Sequence, residues 1–200
     1  MLQFRHDIRD LQRLKDRHDP ALVERALRRS LDATSRKAAT HISRDLRGTY
    51  AIKARDVQRR LKIERVRRDA TRALVYVGRR LPLEQFNPKR RWVSVEPRRK
   101  VKSGPRKGSL ARRRGATVRV RKDKGRQVVP GGWYAKDHIL RRADADDNAS
   151  DPRIQFGPSI PGMVAHPATI NSAQELVRRE LQREFNGRLE HLLQQKTGQK

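Results

Sequence analysis

Arg98, Arg99, Lys100, Lys102, Arg106, Lys107, Arg112, Arg113 and Arg114 place nine cations within seventeen residues. Guanidinium and ammonium groups at this density are suited to phosphate: each phosphate neutralised releases counterions, so affinity falls steeply with salt. Gly104, Pro105, Gly108 and Gly115 predict a non-helical, flexible loop over 97–115. Such a loop can follow a phosphate backbone without reading bases. It contains no aromatic residue, and base readout calls for a helix in a groove or a stacking platform. The expected contact is therefore to backbone phosphates of double-stranded DNA, without sequence preference. Trp92 and Trp133 flank the loop and read as core or interface residues. Two other readings of the loop remain at this stage: a solvated charged loop, or one that meets an acidic protein surface.

Other chemistries find no matching pattern. His6, His18, His41, His138, His166 and His191 are scattered, with no two-histidine helical pair of a zinc hydrolase. Asp144, Asp146, Asp147 and Asp151 form an acidic loop that lacks the mid-loop glycine and final glutamate of a calcium hand. It reads as solvated or paired with a basic neighbour. No Gly-Lys-Ser/Thr follows Gly104 or Gly108, as a phosphate-binding loop requires, and no serine sits in a Gly-x-Ser-x-Gly elbow. Asp56, Glu64 and Asp69 are close enough in sequence to be considered for a nuclease metal site, but read better as surface charges. The expectation is a protein without catalytic residues, metal or cofactor.

The wider composition agrees with a polyanionic partner. The 200 residues carry 50 Lys plus Arg against 22 Asp plus Glu, a net charge of +28. The excess is not spread evenly. Residues 89–126 hold 17 basic and 2 acidic groups, whereas residues 127–200 hold 10 and 9. A cationic surface confined to one stretch is more informative than the isoelectric point. With no cysteine, disulfide scaffolds and thiolate metal sites are excluded. No apolar run approaches the ~20 residues of a membrane span, and residues 1–19 contain no secretory-type stretch. The chain is expected to be soluble, made in the cytoplasm and without a membrane partner.

The elements that must hold these cations follow from periodicity. Leu2, Phe4, Ile8, Leu11 and Leu14 predict an amphipathic helical arm over 1–18. Asp19-Pro20 starts a second helix, with a stripe through Leu22, Ala26, Leu27, Leu31, Ala38, Ile42 and Leu46 and a stop at Gly48. At 1.5 Å per residue it would be ~42 Å long. A short helix is expected over 53–61, and strands at 72–77, 92–95 and 117–121. The turn Asp123-Lys124-Gly125 leads into a hairpin partner at 127–129. Trp133-Tyr134-Ala135 follows a Pro-Gly-Gly break, and Ile154–Phe156 reads as one more short strand. Residues 157–162, with two prolines, read as a rigid connector. The last helix starts either at Pro167 or at a Ser172/Glu175 capping box. Ile170, Ala173, Val177, Leu181, Phe185, Leu189 and Leu192 line it, and the tail frays from Lys196. The expected class is α+β: long N- and C-terminal helices packed on a small, mostly antiparallel sheet with a long basic loop, forming a single domain over 19–200. Part of the helices' apolar surface is expected to meet another copy of the chain.

Four runs, in order, carry a resemblance to a known family. KARDVQRRL spans 53–61, LPLEQF spans 81–86, VRVRKDKGRQVVPGGW spans 118–133 and FGPSIP spans 156–161. Together, over residues 20–193, the chain resembles the minor tail protein Z family of long-tailed bacteriophages and prophages. The family commonly has Pro-Gly-Ala-Phe where this chain has Pro130-Gly131-Gly132-Trp133, and the acidic loop at 144–151 has no match. The resemblance implies a structural virion protein, not an enzyme. Such a protein completes the head-proximal end of the tail, the neck, and supports head–tail joining. Implied partners are genome DNA, the tail terminator and the head–tail connector, with the tape-measure protein a further candidate. A homo-oligomeric ring, taken as six copies, would turn the basic loops toward the DNA channel. The alternative is a non-viral RNA- or DNA-binding protein of ribosomal or nucleoid type.

Overall fold

The computed structural model describes residues 8–66, 71–95, 98–144, 147 and 149–197. The chain is α+β, and it divides into two compact units. The first takes residues 1–45, 57–78 and 161–200, and the second takes 46–56 and 79–160.

Helices dominate the first unit. α1 is Ile8–Arg17, α2 is Pro20–Thr49 and α5 is Pro167–Thr197. Residues 1–7 of the expected arm lie outside the described residues. Asp19 caps α2 as its position before Pro20 predicts: the Ala21 N–H donates to Asp19 Oδ1 at 3.0 Å. α2 and α5 run antiparallel, because contacts advance along one as they retreat along the other. Lys196 Nζ reaches Asp19 at 2.9 Å, Lys37 Nζ reaches Glu184 at 2.7 Å and Glu180 at 2.8 Å, and His41 Nε2 lies 2.7 Å from Ser172 Oγ. The seam packs Val23 and Ala26 against Phe185, Leu189 and Leu192. Ala26, Ser30, Thr34 and Ala38 recur every fourth residue and are all buried. Small side chains at this spacing allow close helix approach. β1 (Leu61–Val66) and β2 (Thr71–Tyr76) form an antiparallel hairpin, tied to α2 by Arg72 Nε donating to Asp32 at 2.6 Å.

The second unit holds short antiparallel strands. β4 (Lys89–Ser94), β5 (Arg112–Val118) and β6 (Gln127–Val128) make one sheet. β7 (Trp133–Ala135), β8 (His138–Arg142) and β9 (Pro152–Ile154) make another, and β3 (Arg80–Pro82) pairs with β10 (Phe156–Ser159). Backbone bonds join them: Ala116 N–H to Gly132 O at 3.4 Å, Gln155 N–H to Ile139 O at 2.9 Å, and Leu83 N–H to Gln155 O at 2.9 Å. Leu81, Phe86, Ala116, Val118, Ile139 and Ile160 are buried there. The runs LPLEQF and FGPSIP, some seventy residues apart, meet in this unit. Phe156 pairs with Pro82, and a Cβ on Gly157 would come within 2.7 Å of Phe86 Cε2.

Several boundaries differ from expectation. α2 passes through Gly48, which does not adopt the left-handed φ that ends a helix, and Tyr50 N–H still bonds Leu46 O at 2.7 Å. The short helix α3 covers only Ala54–Gln58, and Leu61 opens β1 instead. The 157–162 connector is regular: Pro158 is tolerated because β10 is paired on one side only, and Ile160–Val164 form a short helix, α4. α5 starts at Pro167, with Thr169 and Ile170 N–H groups bonding His166 O, so Ser172 faces His41 rather than capping. β8 was not anticipated. Its two-residue link to β7, Lys136-Asp137, has positive φ at both positions (45° and 63°), a turn that Asn-Gly would signal and Lys-Asp does not.

Candidate nucleic-acid interface

The cationic residues lie on the β4–β5 hairpin and its extension. The ladder runs from Lys89↔Thr117 to Ser94↔Arg112. It does not then open into the expected unpaired loop. Val95 N–H bonds Ala111 O at 3.1 Å, Ala111 N–H bonds Arg99 O at 2.8 Å, and Lys100 bridges to Leu110. Val101 N–H reaches Ser109 O at 2.9 Å, and Lys107 N–H closes the tip on Gly104 O at 3.0 Å. The segment 98–115 is thus largely a two-stranded ribbon, with Arg112–Gly115 inside β5. Gly104 and Gly108 are needed for conformation, at φ 81° and 85°, since no atom lies within 4 Å of where a Cβ would sit.

Arg98, Arg99 and Lys100 line one arm of this ribbon, Lys102, Arg106 and Lys107 lie around the tip, and Arg112, Arg113 and Arg114 line the other arm. All are exposed except Arg113, which is half-buried with its Nε enclosed and unpartnered. Among the described residues none of the nine forms a salt bridge.

Other cations of the same stretch are used internally. Arg121 holds Asp123 through two bonds at 3.0 and 2.8 Å and lies over the Tyr50 ring at 5.9 Å. The hydrogen bond to Arg121 keeps the Asp123 carboxyl below its usual range. Arg119 donates to Lys122 O at 2.6 Å, Arg126 to Asn87 O at 2.5 Å, and Lys122 Nζ to Arg47 O. One basic stretch therefore separates into a structural set around 119–126 and a ribbon set free to meet a polyanion.

Strand register adds residues that charge counting left out. Arg90, Trp92, Arg112 and Arg114 share one face of the ladder, since Trp92 pairs with Arg114 and Arg90 with Ala116. Arg90 lies over the Tyr134 ring at 4.9 Å and Arg114 over Trp92 at 5.7 Å. Trp92 is not a core residue: 60% of it is exposed. Trp133 is half-buried beneath Arg142 at 5.8 Å. The signal for Trp92 was present in its position between Arg91 and Val93 on a strand, once Val93 is known to face inward.

The other candidates do not assemble. Asp56 sits in α3 and Glu64 in β1, in different units, and Asp69 lies outside the described residues. The acidic segment closes on itself between β8 and β9: Ala143 N–H bonds Asp151 O, Asp147 accepts from Ala149 N–H at 2.7 Å, and Arg142 donates to Ser150 O at 2.7 Å. Asp146 lies outside the described residues. Among the described residues no group of three or more His, Asp and Glu is placed to hold a metal, and no helix is long and apolar enough to cross a membrane. No family model, curated protein or solved structure matches the chain.

Proposed function

We propose that this chain is a structural virion protein of a long-tailed phage that completes the head-proximal end of the tail and contacts genome DNA through the β4–β5 ribbon. The observation that carries the DNA contact is the ribbon set itself: nine cations on its two arms and tip, eight of them exposed, with no salt bridge among the described residues. Exposed cations on such a ribbon can meet successive phosphates, and each phosphate neutralised releases counterions. The phage assignment rests on the ordered runs. Two of these runs, LPLEQF and FGPSIP, meet through the β3–β10 pairing. At the variant run, a Cβ on residue 132 would meet Val129 Cγ1 at 2.7 Å, so Gly132 is fitted to this chain's own Val129.

A ring of copies would need an apolar surface. On α5, Val177, Leu181, Phe185, Leu189 and Leu192 are buried, whereas Leu22, Leu27 and Leu31 of α2 are only half-buried. Among the described residues the exposed large apolar side chains are Ile63 and Val77 in the first unit and Trp92, Leu110, Val128, Ile154 and Phe156 in the second. Cyclic closure through such patches would make the DNA contacts additive around the ring. The terminator and the connector are the neighbours this position implies.

Two measurements test the reading. Duplexes of unrelated sequence should bind with equal affinity and a steep loss with salt. A density map of intact particles should place the chain at the head end of the tail. Absence from purified particles together with co-purification on ribosomes would replace this reading with the ribosomal or nucleoid one.

A further inference from the structure

The open face of the ribbon carries a feature that phosphate binding does not use. Trp92 has its ring mostly in water, although a tryptophan is the side chain with most to gain from cover. Its orientation is set by its neighbour. Val93 points to the opposite face and is buried over Gly115, where a Cβ would come within 2.4 Å of Val93 Cγ2. Alternation along β4 then turns Trp92 outward, onto the face that carries Arg112 and Arg114.

We propose that Trp92, with Arg114 and Arg112 beside it, is a stacking site for an unpaired nucleobase, so that the ribbon takes single-stranded nucleic acid in preference to duplex. This deepens, and rests on, the nucleic-acid reading of the ribbon. Charge complementarity selects the occupant. The ring needs a flat apolar partner, and the guanidinium groups around it need anions within one side chain's reach. A nucleotide offers both in one unit, the base for the ring and the phosphate for the arginines. Arg114 lies over the ring at 5.7 Å, so the base would take the ring surface that this guanidinium does not cover. In a duplex each base is already covered by its neighbours and shows only its edges in the grooves. A second copy of the chain is the poorer occupant, because it would bring two unpaired cationic ribbons together.

The test uses the full chain, comparing wild type with Trp92→Phe and Trp92→Ala; Trp133 is common to all three. The probes are an oligothymidylate and a blunt duplex of equal phosphate number. The oligothymidylate should quench the fluorescence that Trp92 contributes, and the duplex should leave it unchanged. Trp92→Ala should weaken oligothymidylate binding about tenfold and leave duplex binding unchanged, with Trp92→Phe between them. Trp92→Phe also guards against a folding defect, since it keeps an aromatic ring at the same exposed position. Equal binding of both probes without a Trp92 effect overturns the stacking site and leaves the phosphate reading standing. Failure of both probes to bind overturns the two together.

Discussion

Gly115 leaves the space that Val93 fills: a Cβ on residue 115 would lie 2.4 Å from Val93 Cγ2 and 3.4 Å from Val93 Cβ. The two residues sit on one face of the β4–β5 ladder, two register positions apart. Gly115→Ala should therefore destabilise the second unit, by ~1–3 kcal/mol as overpacking usually does. The double variant Gly115→Ala/Val93→Ala should recover part of the loss in thermal unfolding. Equal melting of wild type and Gly115→Ala would show that the ladder yields freely at this point.

Neutralising Arg112, Arg113 and Arg114 to Gln should weaken duplex binding and flatten its salt dependence. The slope of log affinity against log salt should fall by up to ~2–3, just under one per phosphate contact removed. Changing Arg119, Arg121 and Arg126 to Gln should instead lower the melting temperature, since those side chains hold backbone carbonyls and Asp123. Anisotropy titrations at several salt concentrations, with melts of both triple variants, separate the two sets.

Lys37 joins α2 to α5 through Glu180 and Glu184. Hydrogen bonding to Lys37 lowers both carboxyls below 4.5, and the same bonds raise the Lys37 ammonium above 10.5. A lowered carboxyl stabilises the fold above its unfolded value and loses that contribution as pH falls through the folded one. For the raised ammonium the contribution is present below the unfolded value and is lost as pH rises through the folded one. Stability should decline below about pH 4.5 and again above about pH 10.5. Lys37→Met should lower the melting temperature at neutral pH and shrink the acid-side decline; an unchanged acid limb would remove the pair from the account.

Tyr76 has its hydroxyl enclosed and unpartnered, and the residue lines a cavity of about 370 Å³ with Glu64, Leu74, Val164 and Ile170. Burial pushes its pKa up to about 12. Tyr76→Phe removes a polar group that has no partner and should leave stability unchanged or raise it by up to ~1 kcal/mol. Ultraviolet titration should show Tyr76 ionising last, a late step that Tyr76→Phe removes, although burial also raises Tyr134. A clear loss of stability in Tyr76→Phe would reveal a partner for the hydroxyl.

Much of the fold is written in local spacing. Asp19-Pro20 and the stripes of α2 and α5 needed only their own neighbours, because a 3.6-residue period and a cap are properties of a single segment. The strand at 72–77 and the turn at 123–125 were legible for the same reason. β8 was not, because Lys136-Asp137 carries no glycine to mark its turn, and of the two starts offered for α5 the structure takes Pro167, leaving Ser172 to meet His41, 131 residues away.

The candidate site divides in the same way. Charge is fixed by covalent structure, so the concentration of cations in 89–126 and the absence of catalytic spacings were determined by the order of residues alone. Which of those cations are free was decided by the tertiary structure. Arg119, Arg121 and Arg126 are occupied because the chain brings Lys122 O, Asp123 and Asn87 O to them, whereas pairing of residues 99–101 with 108–111 leaves the ribbon's cations, Arg113 excepted, facing water. The outward turn of Trp92 depends on the space at Gly115, across the ladder. A strand offers two faces of equal standing to its own residues, and only a contact from a distant part of the chain selects the one that is buried.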